Sequence, residues 1–186
     1  MNIEGKLVTL KAIEQEDLAL LNKWGNEPEI QYWLGGWHFP TSMGDIQKWQ
    51  SNLSVMSLNQ RFAIHTDELG LIGTANLVEI DWKNKNAFHG MLLGDKEIRG
   101  KGYAVDTVMA IMKYAFEELG LQRLNGDMIE YNIASLKMYI GKCGWKEEGI
   151  QRNFYFRKNK FWDKIIVGIT RDDYFELIGQ NNYWIK

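Results

Sequence analysis

The chain has 186 residues, a formal net charge of −2 and 45% apolar residues, which are ordinary values for a soluble globular protein. This length predicts one domain, spanning residues 1–186. The small net charge excludes a global basic field that would hold nucleic acid. Cys143 is the single cysteine, so there is no internal disulfide framework, and no segment approaches the ~20 apolar residues of a membrane helix. We therefore expect a cytoplasmic protein with no membrane or nucleic-acid partner.

The first part of the chain predicts one strand and two helices. Apolar residues alternate over residues 6–13, which indicates a half-buried strand. Helical spacing predicts a helix over residues 16–24, ended by a glycine. Residues 32–40 are rich in glycine and aromatics and are expected to form a loop. A capping-box pattern beginning at Ser42 predicts the second helix.

The rest of the chain predicts a mixed sheet. Three strands joined by short turns form an antiparallel meander at residues 61–66, 71–80 and 87–93. Apolar residues at helical spacing predict a long amphipathic helix over residues 105–119, capped by Gly120. The remaining elements are a strand at 123–129, a helix at 134–142 and a closing pair of strands at 145–156 and 161–170. This order predicts an α/β fold with one mixed sheet flanked by about four helices.

The segment between the meander and the long helix has the features of an anion site. It reads Arg99-Gly100-Lys101-Gly102-Tyr103-Ala104. The two glycines let the backbone turn tightly and approach a ligand, and the helix start presents unpaired N–H groups. With two added positive charges, this arrangement suits a pyrophosphate. The spacing fits neither a P-loop nor a dinucleotide fingerprint, and the alternative interpretation is a basic turn before an ordinary helix.

A second motif lies about thirty residues further along the chain. It reads Asn132-Ile133-Ala134-Ser135-Leu136-Lys137-Met138-Tyr139 and precedes Gly144-Trp145. With residues 99–104 and the element order above, it resembles the GNAT N-acetyltransferases, whose motifs are R/Q-x-x-G-x-G/A and N-x-x-A/S-x-x-x-Y. The resemblance extends from residue 7 to about residue 173. It is closest to the branch that contains ribosomal-protein N-terminal acetyltransferases, spermidine acetyltransferases and some antibiotic acetyltransferases.

The resemblance implies acetyl-CoA as cosubstrate, bound in a slot where the central mixed sheet of the GNAT fold splays open. The amides of residues 99–104 would then cradle the pyrophosphate. Asn132 and Ser135 would also contact the cofactor, Asn132 through the pantetheine arm or its neighbouring backbone. The alternative for Asn132, which does not exclude this contact, is an Asx turn or the N-cap of the helix that follows. One strand would supply backbone groups that pair with pantetheine and polarise the thioester carbonyl. Its residues are Met91, Leu92 and Leu93.

The resemblance also implies that an amine attacks the thioester directly while Tyr139 protonates the departing thiolate. Tyr139 lies two helical turns after Asn132 and shares its helix face; the alternative for Tyr139 is a packed aromatic residue. The spacing from Tyr139 to Gly144 is one residue longer than in relatives. A π-bulge or a loosened helix end at Gly141 could absorb the extra residue.

The base that removes the proton from the amine has three candidates: Glu79, His89 or a water relay. Histidine titrates near neutral pH, although polar residues on a sheet are more often solvent-facing. Cys143 is interpreted as a small core residue, because nothing beside it predicts an activated thiolate. Three scattered histidines and one cysteine do not form a metal site, so no metal is expected.

The expected acceptor is a primary amine: a protein N-terminus, a polyamine, an aminoglycoside or another small amine. It should bind near Trp33, Trp37, His38 and Tyr155. Acidic residues in this region suit a cationic acceptor: Glu27, Glu29 and Asp45. In spermidine-acetylating relatives acidic residues stand where this chain has Gly35 and Gly36, which weakens the polyamine option.

Two further functions stay open, together with the oligomeric state. The extra residue after Tyr139 motivates a non-catalytic sensor domain that binds acyl-CoA. A basic and aromatic segment motivates a nucleic-acid-binding module, which salt-dependent binding to single strands would test; its cations are Arg152, Arg157, Lys158 and Lys160. A homodimer could form through the aromatic C-terminal residues 175–186.

Overall fold

A computed structural model describes residues 1–36 and 39–185 and is organised around one eight-stranded mixed sheet. The spatial order is β1-β2-β3-β4-β5-β6-β8-β7. Neighbouring strands are antiparallel except β5 and β6, which are parallel. The strands are β1 (Ile3–Glu4), β2 (Thr9–Lys11), β3 (Gln60–Thr66), β4 (Gly70–Asp81), β5 (Asn86–Leu93), β6 (Arg123–Ile129), β7 (Lys146–Arg157) and β8 (Lys160–Thr170).

The helices cover both faces of this sheet. They are α1 (Leu18–Gly25), α2 (Pro28–Trp33), α3 (Met43–Ser51), α4 (Tyr103–Lys113), α5 (Ile133–Cys143) and α6 (Arg171–Asn181). Apolar residues of α1, α2 and α3 form one core cluster, and those of α4, α5 and α6 form a larger one on the opposite face. Within the described ranges, no helix is long and apolar enough to span a membrane.

The predicted mixed α/β fold is confirmed, and the differences lie in short or terminal elements. Six α-helices are present in the described residues where about four were expected. Residues 28–33, part of which was predicted as loop, form α2, which starts with Pro28 in the position that suits proline. The unpredicted α6 follows β8 directly. Trp37 and His38, which were predicted near the acceptor, lie outside the described residues.

The predicted first strand is shorter than expected because its first residues are bonded elsewhere. The amides of Lys6, Leu7 and Val8 donate to the carboxylate of Asp106 at 2.6–2.9 Å. Asp106 lies in the first turns of α4 and is fully buried. Tyr183 donates to the same carboxylate at 2.7 Å. This buried group therefore joins both ends of the described chain to the helix that follows the predicted phosphate loop.

Strands β5 and β6 diverge after a short paired region. Residues 86–88 of β5 pair with residues 123–125 of β6. Beyond this point β5 pairs only with β4, as far as Leu93. A slot therefore opens between residues 89–93 of β5 and the last residues of β6, which is the predicted splay of the sheet.

Candidate active site

The β5 wall of the slot presents free backbone groups. The amide of Gly94 donates to the carbonyl of Ile72 on β4 at 2.9 Å. Backbone groups alternate in direction along a strand, so those of Met91 and Leu93 face the slot. Leu92 lies opposite Thr74 in the β4 ladder. Two of the three strand residues predicted to contact pantetheine thus direct their backbone into the slot, and the third directs its backbone to β4.

The loop before α4 follows the chain from the open end of β5. Gly100 and Gly102 have φ values of 77° and 91°, which side-chain-bearing residues rarely adopt. The first intrahelical bond of α4 runs from the Asp106 amide to the Gly102 carbonyl. Among the described residues no side chain caps the helix start, and the amides of Tyr103 and Ala104 have no partner within the helix.

Two cations at the start of this loop pair with α2. Arg99 lies 4.0 Å from Glu29, and Lys96 pairs with the same carboxylate. On the neighbouring helix, Lys23 lies 3.8 Å from Asp95. These exposed pairs hold the loop beside α1 and α2, and Arg99 stays on the surface where an anion could compete for it.

Asn132 joins three elements through its side chain. Its Oδ1 accepts a hydrogen bond from the amide of Ser135 at 3.2 Å, which caps α5. Its Nδ2 donates to the carbonyl of Trp33 in α2 at 3.2 Å. Ser135 takes part through its backbone amide. The predicted contact of Asn132 with pantetheine stays a prediction, because both ends of this amide already have protein partners.

Tyr139 lies on the buried face of α5, beside His89. This is the closed end of the slot, where β5 and β6 begin to diverge, and we call it the root of the slot. Only 7% of the residue is exposed. Its ring packs edge-on against Trp145 at 5.0 Å and lies 5.9 Å from the ring of His89. Burial raises the pKa of Tyr139 well above its usual range, and the nearby Cys143 thiol adds to this effect. Among the described residues the Tyr139 hydroxyl has no hydrogen-bond partner. The hydroxyl is therefore protonated, and its proton is not donated to another protein group.

The extra residue after Tyr139 is accommodated in the last turn of α5. Helix α5 is continuous to Cys143. The amides of both Gly144 and Trp145 then reach back to the carbonyl of Tyr139. Gly144 has a φ of 74°, which glycine adopts without strain. The helix therefore ends in a widened turn, and the insertion lies after Tyr139 without interrupting the segment from Asn132.

His89 is buried beside Tyr139 and is neutral. Its Nδ1 donates to the carbonyl of Asn76 at 2.9 Å, which leaves Nε2 as an acceptor. That Nε2 atom is buried without a partner in the described part of the chain. Burial lowers the pKa of His89 to about 4, against a smaller opposing effect of the Asn76 hydrogen bond. Such a group is a weak base at neutral pH.

Comparison with known proteins identifies the family. A family model described as acetyltransferase (GNAT) domain matches residues 8–146. The chain belongs to the GNAT acetyltransferase family. The SPbeta prophage-derived uncharacterized N-acetyltransferase YokL of Bacillus subtilis is 28% identical over 93% of this chain and 94% of its own length.

Spermidine acetyltransferases are also similar to this GNAT chain. The spermidine N(1)-acetyltransferase of Vibrio cholerae is 24% identical over 90% of this chain and 95% of its own length. A crystal structure of spermidine N-acetyltransferase from Vibrio cholerae, in complex with CoA and spermine, has a TM-score of 0.83. It covers 91% of this chain and 98% of that one at 22% identity. This likeness confirms the fold.

Glu79, the other predicted catalytic residue of this GNAT domain, lies away from the slot. It is exposed and has a φ of 53° at an irregularity of the β4–β5 ladder. Its amide donates to the Asn59 side chain at 3.0 Å. The ladder places Glu79 level with residues 86–88 of β5, where β5 and β6 are still paired. The structure does not bring Glu79 to Tyr139, so its role as base stays a prediction.

Sequence reasoning missed the residues that close the root of the slot. A Cβ atom on Gly126 of β6 would lie 3.1 Å from Trp145 and 3.4 Å from the carbonyl of His89. Glycine at this position therefore lets β6 approach β5 and the Trp145 ring. A glycine inside a strand often marks such a close approach, and this signal was present in the sequence.

Sequence reasoning also missed an aromatic cluster that lies next to Asn132. Tyr131 stacks on Tyr32 at 4.7 Å and contacts Trp162 edge-on at 4.7 Å. Its hydroxyl donates to the carbonyl of Tyr32. The cluster fixes α2 across the end of β6, next to Asn132. Its members are far apart in the sequence, so local spacing gives no signal for it.

Two of the three acidic residues expected to attract the acceptor, Glu29 and Asp45, have local partners. Glu29 pairs with the loop cations described above, and Asp45 accepts hydrogen bonds from the amide and hydroxyl of Ser42.

Cys143 is buried, and burial raises the pKa of its thiol to about 12. It therefore has the environment of a core residue. Among the described residues, His, Cys, Asp and Glu side chains form no group of three or more that could hold a metal ion.

Proposed function

We propose that this GNAT protein transfers the acetyl group of acetyl-CoA to the primary amine of a small molecule. The observation that carries the proposal is the slot between β5 and β6, with Tyr139 at its root and the uncapped start of α4 beyond its open end. Helix starts with free amides favour phosphate groups. An extended pantetheine arm can pair with the free backbone groups of a strand.

Direct attack is the mechanism that this arrangement supports. The amine nitrogen forms a bond to the thioester carbon, and slot-facing amides of β5 stabilise the oxyanion. The C–S bond then breaks, and the Tyr139 hydroxyl gives its proton to the departing sulfur. The attacking nitrogen loses its extra proton to water, and solvent reprotonates Tyr139. Burial keeps Tyr139 protonated before the reaction, and the same desolvation raises the basicity of a buried thiolate.

Replacing the Tyr139 hydroxyl tests this mechanism. For Tyr139→Phe we expect kcat to fall about 100-fold, the usual scale for removing a general acid, while the Kd of acetyl-CoA stays unchanged. Thiol release measures turnover, and isothermal titration measures binding. Tyr114→Phe is the matched control, since this tyrosine lies in the π-helical turn after α4, outside the slot.

The outcomes separate the candidate functions. Turnover of any amine by the wild type, lost in Tyr139→Phe and kept in Tyr114→Phe, supports the proposal. Unchanged kcat in Tyr139→Phe would remove Tyr139 from the mechanism. Tight binding of acetyl-CoA without turnover of any amine in a broad panel would favour the sensor function, and failure to bind acetyl-CoA would contradict both.

A further inference from the structure

A cleft of about 600 Å³ lies between α1, α3 and the sheet, which is large enough for a small organic ligand. Thr74 and Leu92 contribute to its floor from the sheet, while Leu21, Ile46 and Trp49 line it from the helices. Of its described lining residues, Asp45 alone carries a formal charge. The cleft is therefore mainly apolar.

Helix α3 leaves its apolar face incompletely covered. None of its residues is buried, and Ile46 and Trp49 are only half-buried. A surface helix normally packs such a stripe fully against the core. The space left under α3 is the cleft, so an apolar occupant would complete the packing of this helix.

The cleft adjoins the slot on the face opposite Tyr139. Met91 and Leu93 pack with the core cluster that contains Tyr139, whereas Leu92 packs with the cluster of α1 and α3. A thioester lying along β5 would have the Tyr139 face on one side and the cleft on the other. Proton donation to sulfur from one face leaves the opposite face for the attacking amine.

We infer that the acceptor is a monoamine with an apolar, preferably aromatic body that lies in this cleft, an inference that rests on the proposed function. The ring would pack against Ile46 and Trp49, and the amine would lie beside the Thr74 hydroxyl at the floor. The apolar walls offer a second ammonium group few hydrogen-bond partners or opposite charges, and burying an unpaired charge is costly. This disfavours polyamines as acceptors.

One oxygen of the carboxylate that lines the cleft is already engaged. Asp45 Oδ2 accepts from the Ser42 amide at 3.0 Å and from the Ser42 hydroxyl at 2.6 Å. Asp45 also lies in the first turn of α3, where the helix dipole stabilises a negative charge. Its position is explained by helix capping, so it is not a dedicated subsite for a second ammonium group.

The apolar walls of the cleft also explain how the amine could attack without a side chain that acts as its base. Desolvation disfavours the charged form of an amine and lowers its pKa. An amine bound in the cleft is therefore neutral more often than in water and can attack without a dedicated side chain. This agrees with the positions of the two predicted bases, since Glu79 is exposed on a bulge and His89 is buried and weakly basic.

Kinetics with matched amines test the inference. We expect kcat/KM for 2-phenylethylamine to exceed that for 1,4-diaminobutane and spermidine by at least tenfold, measured as thiol release with saturating acetyl-CoA. The decisive variant is Gly25→Leu. Gly25 lines the cleft, and a Cβ atom there would meet no atom within 4 Å, so a side chain can start at this position without a clash and occupy space in the cleft. It should raise the KM for 2-phenylethylamine at least tenfold and leave the Kd of acetyl-CoA unchanged.

Gly179→Leu is the matched control, because Gly179 in α6 has equally open surroundings. Its kinetics should equal those of the wild type. Ile46→Asp gives a second readout if Gly25→Leu fails to fold: the added carboxylate should lower activity on 2-phenylethylamine and raise it on 1,4-diaminobutane.

Two results would overturn the inference while the proposed function stands. One is a preference for spermidine in the wild type, and the other is an unchanged KM for 2-phenylethylamine in Gly25→Leu. Absence of acetyl-CoA binding, or of turnover with every amine, would contradict the proposed function itself and is a distinguishable outcome.

Discussion

Helices α4 and α6 both follow a strand of the same sheet, but they begin in different ways. At α6, Thr170 accepts from the Asp173 amide at 3.2 Å and Asp173 accepts from the Thr170 amide at 3.0 Å. At α4 the corresponding position is Gly102, which has no side chain and a φ of 91°. The start of α6 is capped by its own side chains, whereas the start of α4 has no such cap and leaves its first amides available for a ligand. The difference distinguishes a helix start that stabilises the fold from one suited to bind phosphate.

The largest expected effect concerns His89. Its Nε2, like the first amides of α4, has no hydrogen-bond partner among the described residues. Its pKa is lowered to about 4 in the folded protein, below the ~6.5 of an unfolded histidine. The stability held by neutral His89 is therefore fully present above pH 6.5 and is lost as the pH falls towards 4, by about 3 kcal/mol. Urea unfolding at pH 7, 6, 5 and 4 measures this loss. His89→Gln should flatten this dependence, and an equally steep loss in that variant would contradict the assignment.

The next largest effect is expected at one of two glycines that both have a positive φ. Gly100 and Gly120 have φ values of 77° and 65°, and a Cβ atom on either would meet no atom within 4 Å. Alanine at each position should lower stability by about 1 kcal/mol through strain. Only Gly100→Ala should also weaken acetyl-CoA binding, by at least tenfold, because its backbone belongs to the predicted phosphate loop. Equal affinities in the two variants would show that the loop does not hold the cofactor.

Thr170→Ala is the converse change, made at the capped helix. Losing this cap should lower the free energy of unfolding by about 1 kcal/mol, or Tm by roughly 2–4 °C for a chain of this size. Acetyl-CoA affinity should stay at the wild-type value. Thermal unfolding and isothermal titration measure the two quantities, and a weaker affinity for acetyl-CoA would contradict the separation of roles between α6 and α4.

The smallest effect is expected at acid pH from the same cap. Burial acts to raise the pKa of Asp173, but hydrogen bonds from Lys146 and Thr170 outweigh it and lower the pKa to about 2. The stability held by this carboxylate is present above pH ~4 and is lost as the pH falls through 2. Solvent weakens the exposed pair with Lys146, so the loss should be modest. Asp173→Asn should remove it, which acid unfolding followed by circular dichroism would measure.

Elements with long periodic patterns could be predicted from the sequence. The meander, α4 and α5 each alternate or repeat apolar residues over many positions, and the glycines of residues 99–104 stand directly before a helical pattern. Helix α2 could not be predicted in this way, because Ile30 is the only buried residue of its six. Helix α6 also buries a single residue, Tyr174, although its Thr170-x-x-Asp173 cap was visible in the sequence.

The site could be predicted only as far as local motifs extend. The motifs pointed to the predicted phosphate loop and to Tyr139, but not to the residues that hold the site in place. The bond from Asn132 to the Trp33 carbonyl spans 99 residues, and the bonds from Lys6, Leu7 and Val8 to Asp106 span 98 to 100. Such contacts depend on the tertiary fold, which no short pattern encodes. The neutral state of His89 likewise follows from burial and not from its neighbours in the sequence.

Hydrogen–deuterium exchange with and without acetyl-CoA tests the central claim most directly. The α4 start and the β5 wall of the slot should become protected together, as amides of residues 100–104 and those of Met91 and Leu93 bond to the cofactor. The amides of residues 170–173 should exchange at the same rate in both states, because α6 is already capped. Protection at α6, or no change at the start of α4, would contradict the assignment of these helix starts.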